Sequence, residues 1–127
     1  MNPYGKKGGP KHQEKIQEIG KNIEKKGLIA FFEYVFKING RKKKKRYADV
    51  VGLSTEMELI EIHQVGNKNK NGSPIKRERD AIKDIEEYSN NKNIKVQFHT
   101  YILLFLSVIV WNHMSKIIIT FYDNNYF

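Results

Sequence analysis

The amino-acid sequence predicts an α/β (α+β) domain whose elements run helix, three strands, helix, strand. A helical apolar spacing opens the chain at His12, Ile16, Ile19 and Ile23, and period-two alternation follows in three successive stretches. An amphipathic segment running from Ser73 to about Tyr88 then precedes a last alternating run, "IKVQFHTY". With 127 residues the chain can build one domain around one core without metal or disulfide staples. That order of elements makes a sandwich of helices on a sheet rather than a bundle or an all-β barrel.

Residues 1–11, rich in Gly, Lys and Pro, are expected as a flexible basic arm, because they hold too little apolar surface to order unaided. The first helix is expected from His12 to a left-handed stop at Gly27. In "LIAFFEYVFKI" Phe32, Tyr34, Phe36 and Ile38 share one face, and Glu33 and Lys37 the other, the pattern of a half-buried strand. Asn39-Gly40 suits a tight reversal, which the basic run after it would lengthen. "RKKKKRYADVVGL" passes from charge run to second strand, "STEME" is a polar turn and "LIEIHQVG" is the third strand, so an antiparallel meander is expected. "GNKNKNG" is a basic loop, with Ser73 and Pro74 as N-cap and first residue of the second helix. Ile75, Ala81, Ile82, Ile85 and Tyr88 gather on one side of that helix, while Lys76, Arg79 and Lys83 line another. In the last strand Ile94, Val96 and Phe98 alternate against Lys95, Gln97 and His99, with His99 and His113 at strand ends. Residues 102–127, with "ILLFLSVIVW" and "IIITFY", form a hydrophobic C-terminal extension: either a hairpin added to the sheet or a buried helix and strand.

Charge narrows the partner. Against 14 Asp and Glu stand 23 Lys and Arg, and the net charge of +9 points to a polyanion, nucleic acid ahead of an anionic membrane. The absence of cysteine excludes disulfides and thiolate zinc sites. The opening residues have no apolar core after their charges, so no signal peptide is expected; the longest apolar run, Tyr101 to Trp111, falls short of the ~20 residues a helical span needs, so no stable membrane span is expected. The basic residues fall in three groups, Lys6 to Lys11, Arg41 to Arg46 and Lys68 to Lys83. The candidates for phosphate contact are Lys42, Lys43, Lys44, Lys45, Arg46, Lys68, Lys70, Arg77 and Arg79. A solvated surface accounts for any one group; three groups flanking one site are harder to dismiss. No aromatic stacking platform stands out, so single-strand base readout is not indicated.

The candidate chemistry centres on Asp49 and Glu61. A loop of about five residues at Leu53–Met57 would pair Gly52 with Glu58 and set Asp49 opposite Glu61, their Cβ atoms roughly 5 Å apart. Two carboxylates so close need a proton or a cation between them, and in a basic protein acting on phosphates Mg²⁺, or Mn²⁺, is the fitting ion. His63 points the same way as Glu61 and can orient or deprotonate a water, or when protonated stabilise developing charge. The competing account is a polar outer face of the sheet. Glu78 falls near the centre of the second helix's apolar stripe, where an unpaired carboxylate is costly. It either bonds His63, holds an Arg or joins a metal shell, or it pairs with a basic neighbour on its own helix. No phosphate-cradling Gly loop and no Ser/His/Asp set occurs, and His12, His63, His99 and His113 lack zinc spacing.

"YADVVGL" and "ELIEIHQVG", in an αβββαβ order, resemble the PD-(D/E)xK, or restriction-endonuclease-like, nucleases. "GKKGGPKHQEKI", "IEIHQVGNKNKNGSPIKRERDAIKDIEEY" and "FHTY" are most similar to nuclease-like domains at the C-termini of bacterial polymorphic toxins, and the resemblance covers about residues 3–101. It implies a restriction-endonuclease-like αβββαβ core over residues 12–101, with a mixed central sheet flanked by helices. It further implies a Mg²⁺-dependent endonuclease of toxin type that hydrolyses phosphodiester bonds of DNA ahead of RNA. An immunity protein as partner and the bacterial cytoplasm as site of action, after secretion or delivery as an effector, come with it. By the same resemblance Asp49 and Glu61 are the metal-binding acids, the backbone carbonyl of Ile62 a further ligand, and Glu14 or Glu18 the completion of the shell. Gln64 orients substrate or water. His63 stands where the motif has lysine. Three outcomes are open: cleavage with altered pH dependence, Lys68 or Lys70 reaching in instead, or a catalytically inactive nucleic-acid-binding protein of the same fold. A basic membrane-active or interaction protein working through its hydrophobic tail is a further class.

Overall fold

The computed structural model describes residues 8–40, 43–89 and 93–100. Within them the expected order of elements is present: α1 (Pro10–Lys25), β1 (Ile29–Lys37), β2 (Lys45–Leu53), β3 (Leu59–Val65), α2 (Lys76–Ser89) and β4 (Val96–His99). The sheet runs β1-β2-β3-β4. Its first three strands are an antiparallel meander, and β4 pairs parallel with β3 after the crossover through α2. The domain is a four-stranded mixed sheet with α1 packed on one face and α2 on the other. The hydrophobic extension, residues 102–127, and most of the basic arm lie outside the described residues.

α1 starts two residues earlier than the apolar spacing alone indicates, with Gly9 as N-cap and Pro10 at the first helical position, so Pro10 and Lys11 belong to the helix and not to the arm. Proline suits that place because its φ is preset and its missing N–H would have no helical partner there. The helix closes as expected at Gly27, whose φ is +81°. The Gly27 N–H donates to the Glu24 carbonyl and the Leu28 N–H to the Ile23 carbonyl, while Leu28 joins Ile23 in the core. α2 begins at Lys76, two residues beyond Pro74. Pro74 is held in a bridge with Lys68, and Ser73 is engaged with Asn69 and Asn71, so neither is free to start the helix.

Two cores flank the sheet. Ile16, Ile19 and Ile23 of α1 meet Val50 and Val65 on one face. Ile85 of α2 meets Phe36, Ala48, Val51, Leu53, Leu59 and Ile62 on the other. Ala48 and Val51 lie three apart yet on the same face, so the alternation of β2 breaks between them, at Asp49. β1 breaks level with it. Phe32 packs on Gly20 of α1, Tyr34 sides with the α2 core, and Glu33 between them has a left-handed φ of +53°. The single-faced set Phe32, Tyr34, Phe36 and Ile38 expected from the sequence is therefore divided, with Phe32 on the α1 side.

The β2–β3 register also differs from expectation. Glu61 faces Gly52, and His63 faces Val50; Asp49 is not opposite Glu61. Two causes add up. The turn closes between Ser54 and Glu58, where the Ser54 hydroxyl accepts the N–H groups of Glu56 and Glu58, so Leu53 pairs with Leu59. A bulge at Ile60 then inserts one more residue into β3 before Glu61 meets Gly52. Glycine is required at that pairing, since a Cβ on Gly52 would stand 2.8 Å from Glu61 Cγ.

Arg46, expected as a phosphate contact, instead spans the α2 side. Its Nη2 lies 2.7 Å and its Nε 2.8 Å from Asp84 Oδ2, with both side chains largely buried. The pair ties β2 to α2. Arg46→Met removes the partner that β2 supplies to the buried Asp84 carboxylate and should cost about 3 kcal/mol. In urea unfolding that appears as a lower midpoint with an unchanged slope.

Candidate functional site

The break in β2 turns Asp49 toward α1. Its Oδ1 lies 3.5 Å from His12 Nε2, and its Oδ2 accepts the Val65 N–H at 2.7 Å. The Asp49 N–H donates in turn to the Gln64 side-chain oxygen at 3.3 Å. Side chains thus take over from the backbone ladder where β2 and β3 part. Gln64, expected to orient substrate or water, is buried and braces Asp49. Asp49 opens on a cleft of about 260 Å³ lined by His12, Gln13, Gln17, Phe32 and Glu33.

A second group lies further along the same layer. Glu61 Oε1 is 2.8 Å from His63 Nε2 and 3.1 Å from Lys26 Nζ, so the carboxylate sits between an imidazole and an ammonium. His63 Nδ1 lies 2.8 Å from His99 Nε2, completing a chain Glu61, His63, His99 across β3 and β4. When Glu61 is ionised and both rings are neutral, His63 donates through Nε2 and accepts at Nδ1, and the Nδ1 of His99 keeps a lone pair. His63 is only 4% exposed, while Glu61 and His99 are half-buried, so solvent reaches the chain at its two ends. His99 is the residue that sequence reasoning left aside as a strand end. The signal for it was the alternation of β4, which puts it on the face opposite Val96.

The remaining candidates divide. The Ile62 side chain is fully buried in the α2-side core, and its backbone pairs with Val51 and Val96. Glu14 is exposed; Glu18 is exposed too, 3.4 Å from Lys15, with its charge felt at His99. Glu78 is buried against Gly66, where a Cβ would come within 2.7 Å of its Cδ, and its Oε1 lies 3.6 Å from Arg77 Nη2. Of its expected partners, the basic neighbour on its own helix is the one found. Lys43, Lys44, Lys45, Lys68, Lys70, Arg77 and Arg79 are exposed, with Arg79 Nη1 donating to the Pro74 carbonyl; Lys42 lies outside the described residues.

Carboxylate oxygens are suitable donors for Mg²⁺ or Mn²⁺. Here, however, Asp49 and Glu61 are each engaged separately, and the register sets them three residues apart along the strands, about 10 Å at ordinary strand rise. Among the described residues no three His, Asp or Glu side chains gather as ligands. So placed, these residues do not fit one divalent ion.

Known proteins offer no closer guide. No protein-family model, no curated protein and no solved structure matches the chain. Among the described residues no helix is long and apolar enough to cross a membrane.

Two titrations follow from this geometry. Burial alone would raise the Glu61 carboxyl, but the hydrogen bonds and charges of His63 and Lys26 outweigh it and hold the group below its ordinary value. Its contribution to stability is present above the unfolded glutamate pKa of about 4.3 and is lost as pH falls through the folded value. Burial, then the positive fields of His63 and Lys15, hold His99 below the ordinary imidazole value, against a smaller pull from Glu18. The unfolded chain therefore binds more protons below its histidine pKa of about 6.5. Stability should be level above that pH and decline below it. In urea unfolding between about pH 5 and 7 the His99→Gln variant should show a flatter profile than the parent.

Proposed function

We propose that this chain is a phosphodiester hydrolase acting on nucleic acid, built on a restriction-endonuclease-like core. What carries the proposal is one juxtaposition. Asp49, Glu61 and His63, from two neighbouring strands, all turn into the layer beneath α1, Asp49 only because the alternation of β2 breaks at that residue. The mixed sheet, with an antiparallel meander followed by a parallel strand, agrees with it. The surplus of positive charge suits the substrate.

Hydrolysis needs a base for the attacking water and a place for its proton. As water bonds to phosphorus and the bond to the leaving oxygen breaks, the chain from His99 through His63 to Glu61 offers that place. Asp49, beside His12 at the mouth of the cleft, stands where a strand entering from the sheet would meet it. In the resemblance the effector is of toxin type, prefers DNA to RNA and has an immunity protein for partner.

A second reading, a nucleic-acid-binding protein of the same fold without turnover, is favoured by the separate engagement of the two carboxylates by His12 and by Lys26. Incubation of the protein with plasmid and with total RNA, in Mg²⁺, Mn²⁺ or EDTA and from acid to alkaline pH, separates the two. Cleavage is expected, and Asp49→Asn or Glu61→Gln should slow it by at least about 100-fold while low-salt binding persists. Binding without cleavage in every condition would leave only the second reading.

A further inference from the structure

We propose that the part of the β1–β2 ribbon lying past Asp49 is a binding site for single-stranded nucleic acid that leads into the Asp49 cleft. It builds on the nucleic-acid reading above but not on cleavage.

The faces of the ribbon are well defined. Phe36 and Ala48 point into the α2-side core, and Arg46 reaches Asp84 of α2. Their neighbours Val35 and Lys37 on β1, and Tyr47 and Lys45 on β2, therefore point the other way, to the side on which α1 covers the rest of the sheet. They stand in register, Val35 opposite Tyr47 and Lys37 opposite Lys45. Tyr47 is 55% exposed and Val35 42%, and Phe32, at 38%, forms a wall of the cleft beside Asp49. One line of side chains thus runs from the cleft to the Tyr47–Val35 pair to the lysine pair, with steps of about 7 Å between successive residues on a face.

Two features select the occupant. Like charges directly opposite each other in a sheet repel, yet Lys37 and Lys45 are paired in this way with no acidic partner among the described residues. An anion held between them removes the repulsion. Tyr47 is a flat aromatic surface beside an aliphatic one, and a base can lie on it only when its face is free, as in a single strand, whereas in a duplex both faces are stacked. The cleft that follows, about 260 Å³, has room for part of one strand and none for a duplex. An exposed tyrosine by itself is ordinary; its alignment with the unpartnered lysines and the Asp49 cleft is what forms a track. The sequence indicates no aromatic platform at exposed positions, yet Phe32 and Tyr47 both stand exposed here.

The test is fluorescence anisotropy on the full chain in EDTA, where binding is measured without cleavage, using a labelled oligonucleotide of about 20 nucleotides and its duplex. The single strand should bind tighter. Tyr47→Ala should weaken single-strand binding about tenfold and leave duplex binding within about twofold, while Tyr47→Phe keeps the parent affinity. Lys37→Ala combined with Lys45→Ala should reduce the slope of log affinity against log salt by about 1.4, two phosphate contacts at about 0.7 each. Because Tyr47 is exposed, circular dichroism of the variants should match the parent. Equal affinity for both forms with no effect of Tyr47→Ala overturns the proposal. So does a dimer that Tyr47→Ala dissolves, or tighter binding to anionic vesicles lost in the same variant. Strand binding without cleavage sinks the hydrolase and keeps the track; cleavage unchanged in Tyr47→Ala does the reverse.

Discussion

The placement of Asp49 is the constraint on which the candidate site depends. A strand that alternates without interruption from Val51 would aim residue 49 at the α2 core, where a carboxylate would be buried among Phe36, Val51 and Ile85. The sheet avoids this by breaking step in two strands at once, at Glu33 and at Asp49. A non-glycine residue at left-handed φ costs on the order of 1–3 kcal/mol. The bond from the Val65 N–H to the Asp49 carboxylate contributes about 1.5–3 kcal/mol, and the Gln64 bond adds about 1. The two sides are of the same size, so the kink holds only while Asp49 keeps its partners on β3. The site and the bend of the sheet are one structure.

From that bend the two halves of the ribbon acquire different surroundings. On the Gly52 side α1 lies over the sheet, with Ile23, Gly20 and Leu28 packed on Val50, Phe32 and Gly52, and the acid residues there meet His12 of α1 and Lys26 of its cap. On the Lys45 side the same sheet face is open, while the opposite face is fastened to α2 by the Arg46–Asp84 pair and by Phe36 against Tyr88. β2 carries both attachments, which is why it is buried on both faces toward Leu53 and on one face only toward Lys45.

Element order was legible in the sequence because period and punctuation agreed: the isoleucine stripe with Gly27 and the alternating runs mark local preferences that tertiary packing did not override. Register was not legible. It depends on where the turn closes and on whether a bulge follows, and nothing in "STEMELIE" distinguishes a pairing of Gly52 with Glu58 from one with Glu61. Ser54 decided the first by capping its own turn, and Ile60 the second by having no partner. Arg46 illustrates the same limit. In the sequence it is the last of a charge run, but its side chain falls on the face next to α2, where Asp84 waits, and alternation counted from Phe36 and Ala48 would have separated it from Lys45 and Lys43. His99 was legible in principle, since its face follows from Val96, but a parallel β4 beside His63 was needed to give it a partner.

Positive charge is consequently not spread evenly over the layer that holds the acids. Around α1 the basic side chains are engaged by acids: Lys26 by Glu61, Lys15 by Glu18, and the imidazole of His12 by Asp49. Each commitment reduces the field that a distant polyanion would feel there. Along the open ribbon Lys37 and Lys45 have no acid to neutralise them among the described residues, and Lys43 and Lys44 of the connecting loop are exposed beside them. Exposed charges are screened over about 8 Å at physiological salt, so a polyanion near the ribbon would feel this uncommitted group more strongly than the paired residues beneath α1. On the proposed reading a strand would reach the acids only after lying down along the ribbon, so that the open half of the sheet would serve capture and the covered half chemistry.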